Sequence, residues 1–268
     1  MDTQEQAGGR GVLSRDAIKY IAMFTMLLNH IAQIFMTPGA FWTEVFTDVG
    51  YFTAPVMCWF LVEGYGYTRS KRRYGLRLAA FAALSEVPFC LAFTKGAVLD
   101  YCGMNMIFTL LVCFLILEAG EKIRSGLLRR LAQAGLTLLT VILPSDWSLL
   151  APAYTLLFAW AKGSRRKARW AFFWAVLLFW WLLWLSGAGR PIWLQLLASL
   201  GGAAGVALAA AAILYLYNGR RAEHGQRFAK WFLLVLPGPP AGAGPAPPGG
   251  DVKRRQKPGN FPGFLRNL

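Results

Sequence analysis

Charged side chains are scarce in this chain. They make up 15% of it, where a soluble domain usually carries about 25%. Between Ala17 and Tyr217 no long polar stretch breaks the apolar runs, so the surface that a water-soluble domain needs is missing. Histidine is nearly absent: His30 and His224 are the two in the chain, too few for a histidine-rich metal site. The four cysteines, Cys58, Cys90, Cys102 and Cys113, show no CxxC or CxxH spacing and read as small core residues. There is no GxxxxGKS, HExxH or GxSxG, which removes the P-loop, zincin and serine-hydrolase readings. No metal is expected. A signal-peptide pattern is also missing: the polar segment 1–16 leads into an apolar run without a small-residue cleavage site, so that run is expected to stay in the membrane.

What is present is apolar. Hydrophobic residues account for 56% of the chain, and mean hydropathy is +0.42. Apolar runs lie at 17–36, 50–68, 76–94, 104–118, 127–143, 147–161, 170–187 and 192–217. Most have the roughly 20 residues that a helix needs to cross a hydrocarbon core of about 30 Å. Run 147–161 is short and contains Pro152, which predicts a kink or break in a tilted or re-entrant segment. The basic residues then orient the runs. Connectors 68–77, 118–130, 162–169 and 217–230 hold 18 Lys and Arg, whereas 37–49, 95–103, 144–146 and 188–191 hold Lys95 and Arg190 alone. Strict alternation of this kind predicts an all-α, polytopic integral membrane bundle of about eight transmembrane helices with a cytoplasmic N-terminus. The net charge of +15 is thereby spent on topology and on contact with membrane lipid, and nucleic acid is not an expected partner.

Polar groups within the runs are few, and each is costly in lipid. They are Asn29, His30 and Gln33 in the first run, Glu63 in the second, Glu86 in the third and Gln195 in the last, with Asn105 at the edge of the fourth. His30 lies about 20 Å above Ala17 along a helix, in the outer half. Imidazole is the natural general base near neutral pH; the plainer reading is a packing histidine. Lys19 precedes His30 by three helical turns on the same stripe. It would meet the phosphates of a cytoplasmic donor, or else anchor the helix at the interface. Glu86, before Val87-Pro88, lies near mid-membrane, where it would approach His30 and stabilise its imidazolium. Glu63 lies lower, about 12 Å below His30, and with Tyr65, Tyr67 and Thr68 would line a cytoplasmic mouth. Arg69, Arg72 and Arg73 are first a topology signal and second a contact for a nucleotide-bearing donor.

The order of several short blocks resembles the TraX family. The first is Ser14-Arg15-Asp16-Ala17-Ile18-Lys19-Tyr20 followed by Asn29-His30. Next come Phe60-Leu61-Val62-Glu63-Gly64-Tyr65 with Tyr74 and Arg77, then Ser85-Glu86-Val87-Pro88. Asn105 with Phe108-Thr109-Leu110, Tyr217-Asn218-Gly219-Arg220 and Lys230-Trp231-Phe232 complete the series. The resemblance covers about residues 13–232. It implies an acetyltransferase drawing on acetyl-CoA, with His30 at the catalytic place, Asn29, Gln33, Glu63 and Asn105 binding or orienting, and Lys19, Arg69, Arg72 and Arg73 on the donor. The implied acceptor is an extracytoplasmic protein N-terminus or a cell-surface glycan. Many members carry Asp where this chain has Asn29, and Gly-Arg where it has Gly50-Tyr51.

The expected organisation is a cytoplasmic segment 1–16, a transmembrane domain 17–232 and a basic, Pro/Gly-rich disordered tail 233–268. The family usually continues with a further hydrophobic helix at the place of this tail; a shift of reading frame would account for the difference. The expected function is an acyltransferase of a bacterial plasma membrane, moving an acetyl group outward from cytoplasmic acetyl-CoA to an amine or hydroxyl. A proton-coupled transporter or flippase, and a non-catalytic assembly subunit, are the alternatives.

Overall fold

Ser14 starts the first helix: its hydroxyl accepts from the backbone N–H of Ala17 at 3.2 Å, the N-cap bond that satisfies one orphan donor of the first turn. In the computed structural model, which describes residues 11–93 and 103–219 (side chains of 91–93 excepted), helix α1 runs Arg15–Phe35. Then follow α2 (Phe41–Gly50), α3 (Thr53–Tyr67), α4 (Lys71–Phe93), α5 (Met106–Lys122), α6 (Gly126–Ile142), α7 (Leu150–Ala161), α8 (Arg165–Ser186) and α9 (Ile192–Ala211). A π-helical turn, Ala212–Leu216, ends α9. The protein is an all-helical membrane protein, and among the described residues no β-strand forms beyond two isolated bridges.

The helices run up and down between two ends. At the basic end Leu13 bridges to Tyr217, donating to the Leu216 carbonyl at 2.8 Å and accepting from Asn218 at 3.0 Å. There too Lys71 at the start of α4 meets Glu121 at the end of α5. At the other end Met104 bridges to Ser145, and the Thr109 hydroxyl donates to the Asp146 carbonyl at 2.7 Å. Four helical segments among the described residues are long and apolar enough to cross a membrane: Arg15–Phe35, Phe41–Tyr67, Arg165–Ser186 and Ile192–Leu216. The core between α3, α7 and α8 is aromatic. Phe158 and Phe172 stand 4.6 Å apart, and Trp59 lies 5.4 Å from each; such pairs contribute about 0.5–1.5 kcal/mol each beyond burial. Trp170, Trp174 and Trp181 stay half exposed on α8, as side chains facing lipid do.

Two sequence expectations change. The connector at 37–49 is mostly helix: α2 occupies it, and α2 with α3 forms one broken segment of 27 residues. Of its polar residues, Asp48 packs on the glycines of α9, where a Cβ at Gly205 would strike the Asp48 carbonyl and one at Gly201 the Asp48 carboxylate, and the Thr43 hydroxyl donates to the Thr37 carbonyl at 2.8 Å. Pro152 does not break α7, because it is the third residue of that helix, where the first-turn N–H has no intrahelical partner to lose. The 12 residues of α7 cover about 18 Å. The tail 233–268, His224, Cys102 and Lys95 lie outside the described residues.

Gly205→Val should force α2 and α9 apart and cost about 1–3 kcal/mol, read as a lower thermal midpoint of the purified protein in detergent; an unchanged midpoint would contradict the close approach. Asp146, in the turn before α7, gives a pH prediction. Burial pushes its carboxyl up from 3.8 to about 6, against an opposing backbone hydrogen bond at Trp147. A carboxyl raised on folding adds stability below its unfolded value and loses it as pH rises through the folded one. Asp146→Asn should therefore raise the thermal midpoint near pH 7.5, and the gap to the wild type should shrink towards about pH 4.

Candidate functional site

His30 is the sixteenth residue of α1, which places it about 22 Å from the basic end of that helix. The side chains beside it are fixed by α2. Asn29 donates from Nδ2 to the Thr47 carbonyl at 3.2 Å, and Gln33 donates to Asn29 Oδ1. Gly50 makes this fit possible, since a Cβ there would collide with the Asn29 side chain. Lower on the same interface the Thr25 and Thr53 hydroxyls lie 3.0 Å apart, and Thr53 donates to the Ala22 carbonyl at 2.8 Å. α1 therefore carries a ladder of polar contacts to α2 and α3 that leads up to His30.

Glu86 and Asn105 are brought together, on the other side of the molecule's α4–α5 pair. Asn105 caps α5, accepting from Phe108 N–H at 3.0 Å. It donates from Nδ2 to the Ala82 carbonyl at 3.0 Å and to Glu86 Oε2 at 2.6 Å. The Cys90 thiol reaches the other Glu86 oxygen at 3.8 Å. Oε2 thus serves the join of α4 to α5 while Oε1 faces Cys90 within α4, and among the described residues neither contacts His30; the His30–Glu86 dyad is not formed. α4 runs through Pro88 to Phe93.

Glu63 sits at the basic end and is tied down. The Tyr217 hydroxyl donates to its two oxygens at 2.8 and 3.1 Å, and Arg15 Nε stands 3.4 Å from Oε2. The Arg15 guanidinium also donates to the Phe60 carbonyl at 3.1 Å. This carboxylate is a three-helix tie, in place of the open mouth expected with Tyr65, Tyr67 and Thr68. Tyr65 turns instead to Glu118 and Glu121, at 3.2 and 2.6 Å. The hydrogen bonds from Lys71 and Tyr65 hold the exposed Glu121 carboxyl below its usual range. Lys19 Nζ lies 5.7 Å from the Phe60 ring centre, a cation–π distance. Arg69 is exposed on the turn between α3 and α4, and Arg72 and Arg73 are exposed on the first turn of α4.

Sequence reasoning missed Arg15, Tyr217 and Asp48. Arg15 and Tyr217 flank the outermost apolar runs and were legible only as parts of short blocks; the partner they share is 154 residues from Tyr217. Asp48 fell in the stretch read as a connector, and its spacing of four from the like-charged Glu44 gave no helical signal, because like charges at that spacing disfavour a helix.

The family described as TraX protein matches residues 14–238. A probable fimbrial assembly protein FimC, serogroup H1, from Dichelobacter nodosus is 29% identical over 160 residues. The match covers 56% of this chain and 63% of that protein, so the chain spans less than two thirds of this relative. No solved structure matches.

Replacing Glu63 with Ala should leave Arg15 buried without its counter-charge, at a cost of about 3–5 kcal/mol. Tyr217→Phe should cost about 1.5–3 kcal/mol, the worth of a hydrogen bond to a charged group. Urea-induced loss of helical signal for the purified variants reads both; equal midpoints for the wild type and both variants would dissolve the tie.

Proposed function

Because the chain belongs to the TraX family, we propose that it is a multi-pass acetyltransferase of a bacterial plasma membrane. It takes an acetyl group from cytoplasmic acetyl-CoA and passes it to an amine or hydroxyl on the outer side. The observation that carries this reading is His30, an imidazole far along an apolar helix, whose neighbour Asn29 is fixed by Thr47 and Gln33. An ionisable group at such depth needs a functional reason. In the proposed step the acceptor's nitrogen or oxygen bonds to the thioester carbonyl carbon while His30 removes its proton. The C–S bond then breaks, and the thiolate of CoA leaves with that proton. Asn29 and Gln33 orient the reacting groups, and Lys19 with Arg69, Arg72 and Arg73 draws the anionic donor to the cytoplasmic end. Glu86 and Asn105 act one step removed, by holding α4 against α5.

A probable fimbrial assembly protein among the relatives favours a surface protein over a glycan as the acceptor. The same name supports the second reading, a non-catalytic assembly subunit, and one experiment separates the two. Purified protein in proteoliposomes is given labelled acetyl-CoA inside and a peptide with a free N-terminus outside. Wild type should label the peptide, and His30→Ala should slow labelling at least about 100-fold, the usual worth of a general base. Equal labelling by His30→Ala would remove His30 from the chemistry. No labelling by either protein, with fimbrial assembly intact in cells carrying His30→Ala, would select the assembly subunit.

A further inference from the structure

The turn from α7 into α8 gathers cations in a stretch that has no acids. Lys162, Arg165, Arg166, Lys167 and Arg169 follow closely on one another, and neither Asp nor Glu occurs from Trp147 to Ala222. The charge of Lys162 acts on Glu121, and Arg165 is engaged elsewhere. Arg166, Lys167 and Arg169 are exposed, and among the described residues none of them meets a carboxylate.

What surrounds these three is aromatic. Lys167 Nζ stands 5.5 Å from the centre of Trp160, the next-to-last residue of α7. That cation–π contact positions the amine without consuming an N–H donor. Arg166, Arg169, Trp170 and Phe173 are spaced three or four residues apart and share one exposed face of α8. The opposite face, with Ala168, Ala171, Phe172 and Ala175, is buried in the bundle. Along the axis Trp170 lies about 6 Å and Phe173 about 10 Å beyond Arg166. From the basic end into the membrane the exposed face therefore runs guanidinium, indole, phenyl. A phospholipid runs phosphate, glycerol ester, acyl chain, and each part meets its counterpart: guanidinium matches phosphate oxygens, and indole belongs at the interface. α6 supplies the contrast, since it too opens with a pair of arginines, Arg129 and Arg130, but carries no aromatic residue.

We propose that this face of α8 holds one anionic phospholipid of the leaflet at the basic end. Its phosphate lies between Arg166, Lys167 and Arg169, and its glycerol and acyl chains run along Trp170 and Phe173. Three cations without acids call for an anion, and the rings that continue their line call for the apolar remainder of a lipid. The site stands whether or not His30 transfers an acyl group, because it needs no reaction, and its test reads binding alone.

The test titrates the full chain, purified in a neutral detergent, with phosphatidylglycerol and separately with phosphatidylcholine, and counts bound lipid by native mass spectrometry. Wild type should hold one phosphatidylglycerol per chain and bind phosphatidylcholine more weakly. Each basic residue beside an anionic headgroup is worth about fivefold in binding. Arg166→Gln with Arg169→Gln should therefore weaken phosphatidylglycerol about 25-fold. Trp160→Leu, which takes away the ring that holds Lys167, should weaken it about two- to fivefold. All three changes fall on exposed side chains, and an unchanged helical signal checks that the fold is kept. Arg124→Gln with Arg130→Gln, exposed on the neighbouring basic turn, should leave binding within about twofold, because distant exposed charges act by screened attraction alone. Equal losses in the two double variants would mean that bulk charge and not a site is read, and would overturn the proposal. So would equal affinity for the two lipids, absence of bound phosphatidylglycerol in wild type, or its displacement by inorganic pyrophosphate at like concentration, which would make the ligand a soluble phosphate.

Discussion

The carboxylate of Glu63 is the tie on which the basic end of the bundle depends. It stands on α3, takes the Arg15 guanidinium from the start of α1, and takes the Tyr217 hydroxyl from just beyond α9. Ions at such a site are costly to desolvate, so the pair persists only because each partner holds further bonds. Arg15 also donates to the Phe60 carbonyl, and the Leu13–Tyr217 bridge closes a backbone loop around the same point. With those ends held, α1 lies against α2 and α3 in one register, and the polar ladder from Thr25 to Asn29 falls into line beneath His30.

The opposite end is organised by a different device. There the chain uses small residues and side-chain-to-backbone bonds in place of ions. Gly50 admits Asn29, Gly201 and Gly205 admit Asp48, and Gln195 donates to the Trp184 carbonyl at 2.6 Å across the turn between α8 and α9. Asn105 performs two tasks with one side chain, capping α5 and binding Glu86. Close backbone approach of this kind replaces the hydrophobic drive that lipid does not supply.

The helical class, the positions of most helices and their alternating direction were legible in the sequence, because apolar length and basic turns are local signals. The stretch 37–49 was not. Thr43, Glu44, Thr47 and Asp48 read as loop when counted by hydropathy, and what makes them helical is room provided by two glycines about 150 residues later. The candidate site divides in the same way. His30 and Glu63 stood out because isolated polar residues are conspicuous in apolar runs. Their partners did not, since Thr47, Arg15 and Tyr217 are ordinary residues at the ends or turns of runs. Glu86 illustrates the limit: depth alone brought it towards His30, but depth carries no azimuth, and the side chain points to Asn105.

The π-helical turn at Ala212–Leu216 makes the bundle's closure depend on counting. Such a turn holds one more residue than an α-helical turn, and it comes immediately before Tyr217. Without that surplus residue every later side chain would rotate by about 100° around the axis, and the phenol would point away from Glu63. The chain thus stores, in the length of one turn rather than in the chemistry of any side chain, the phase that lets its last described helix lock onto α3.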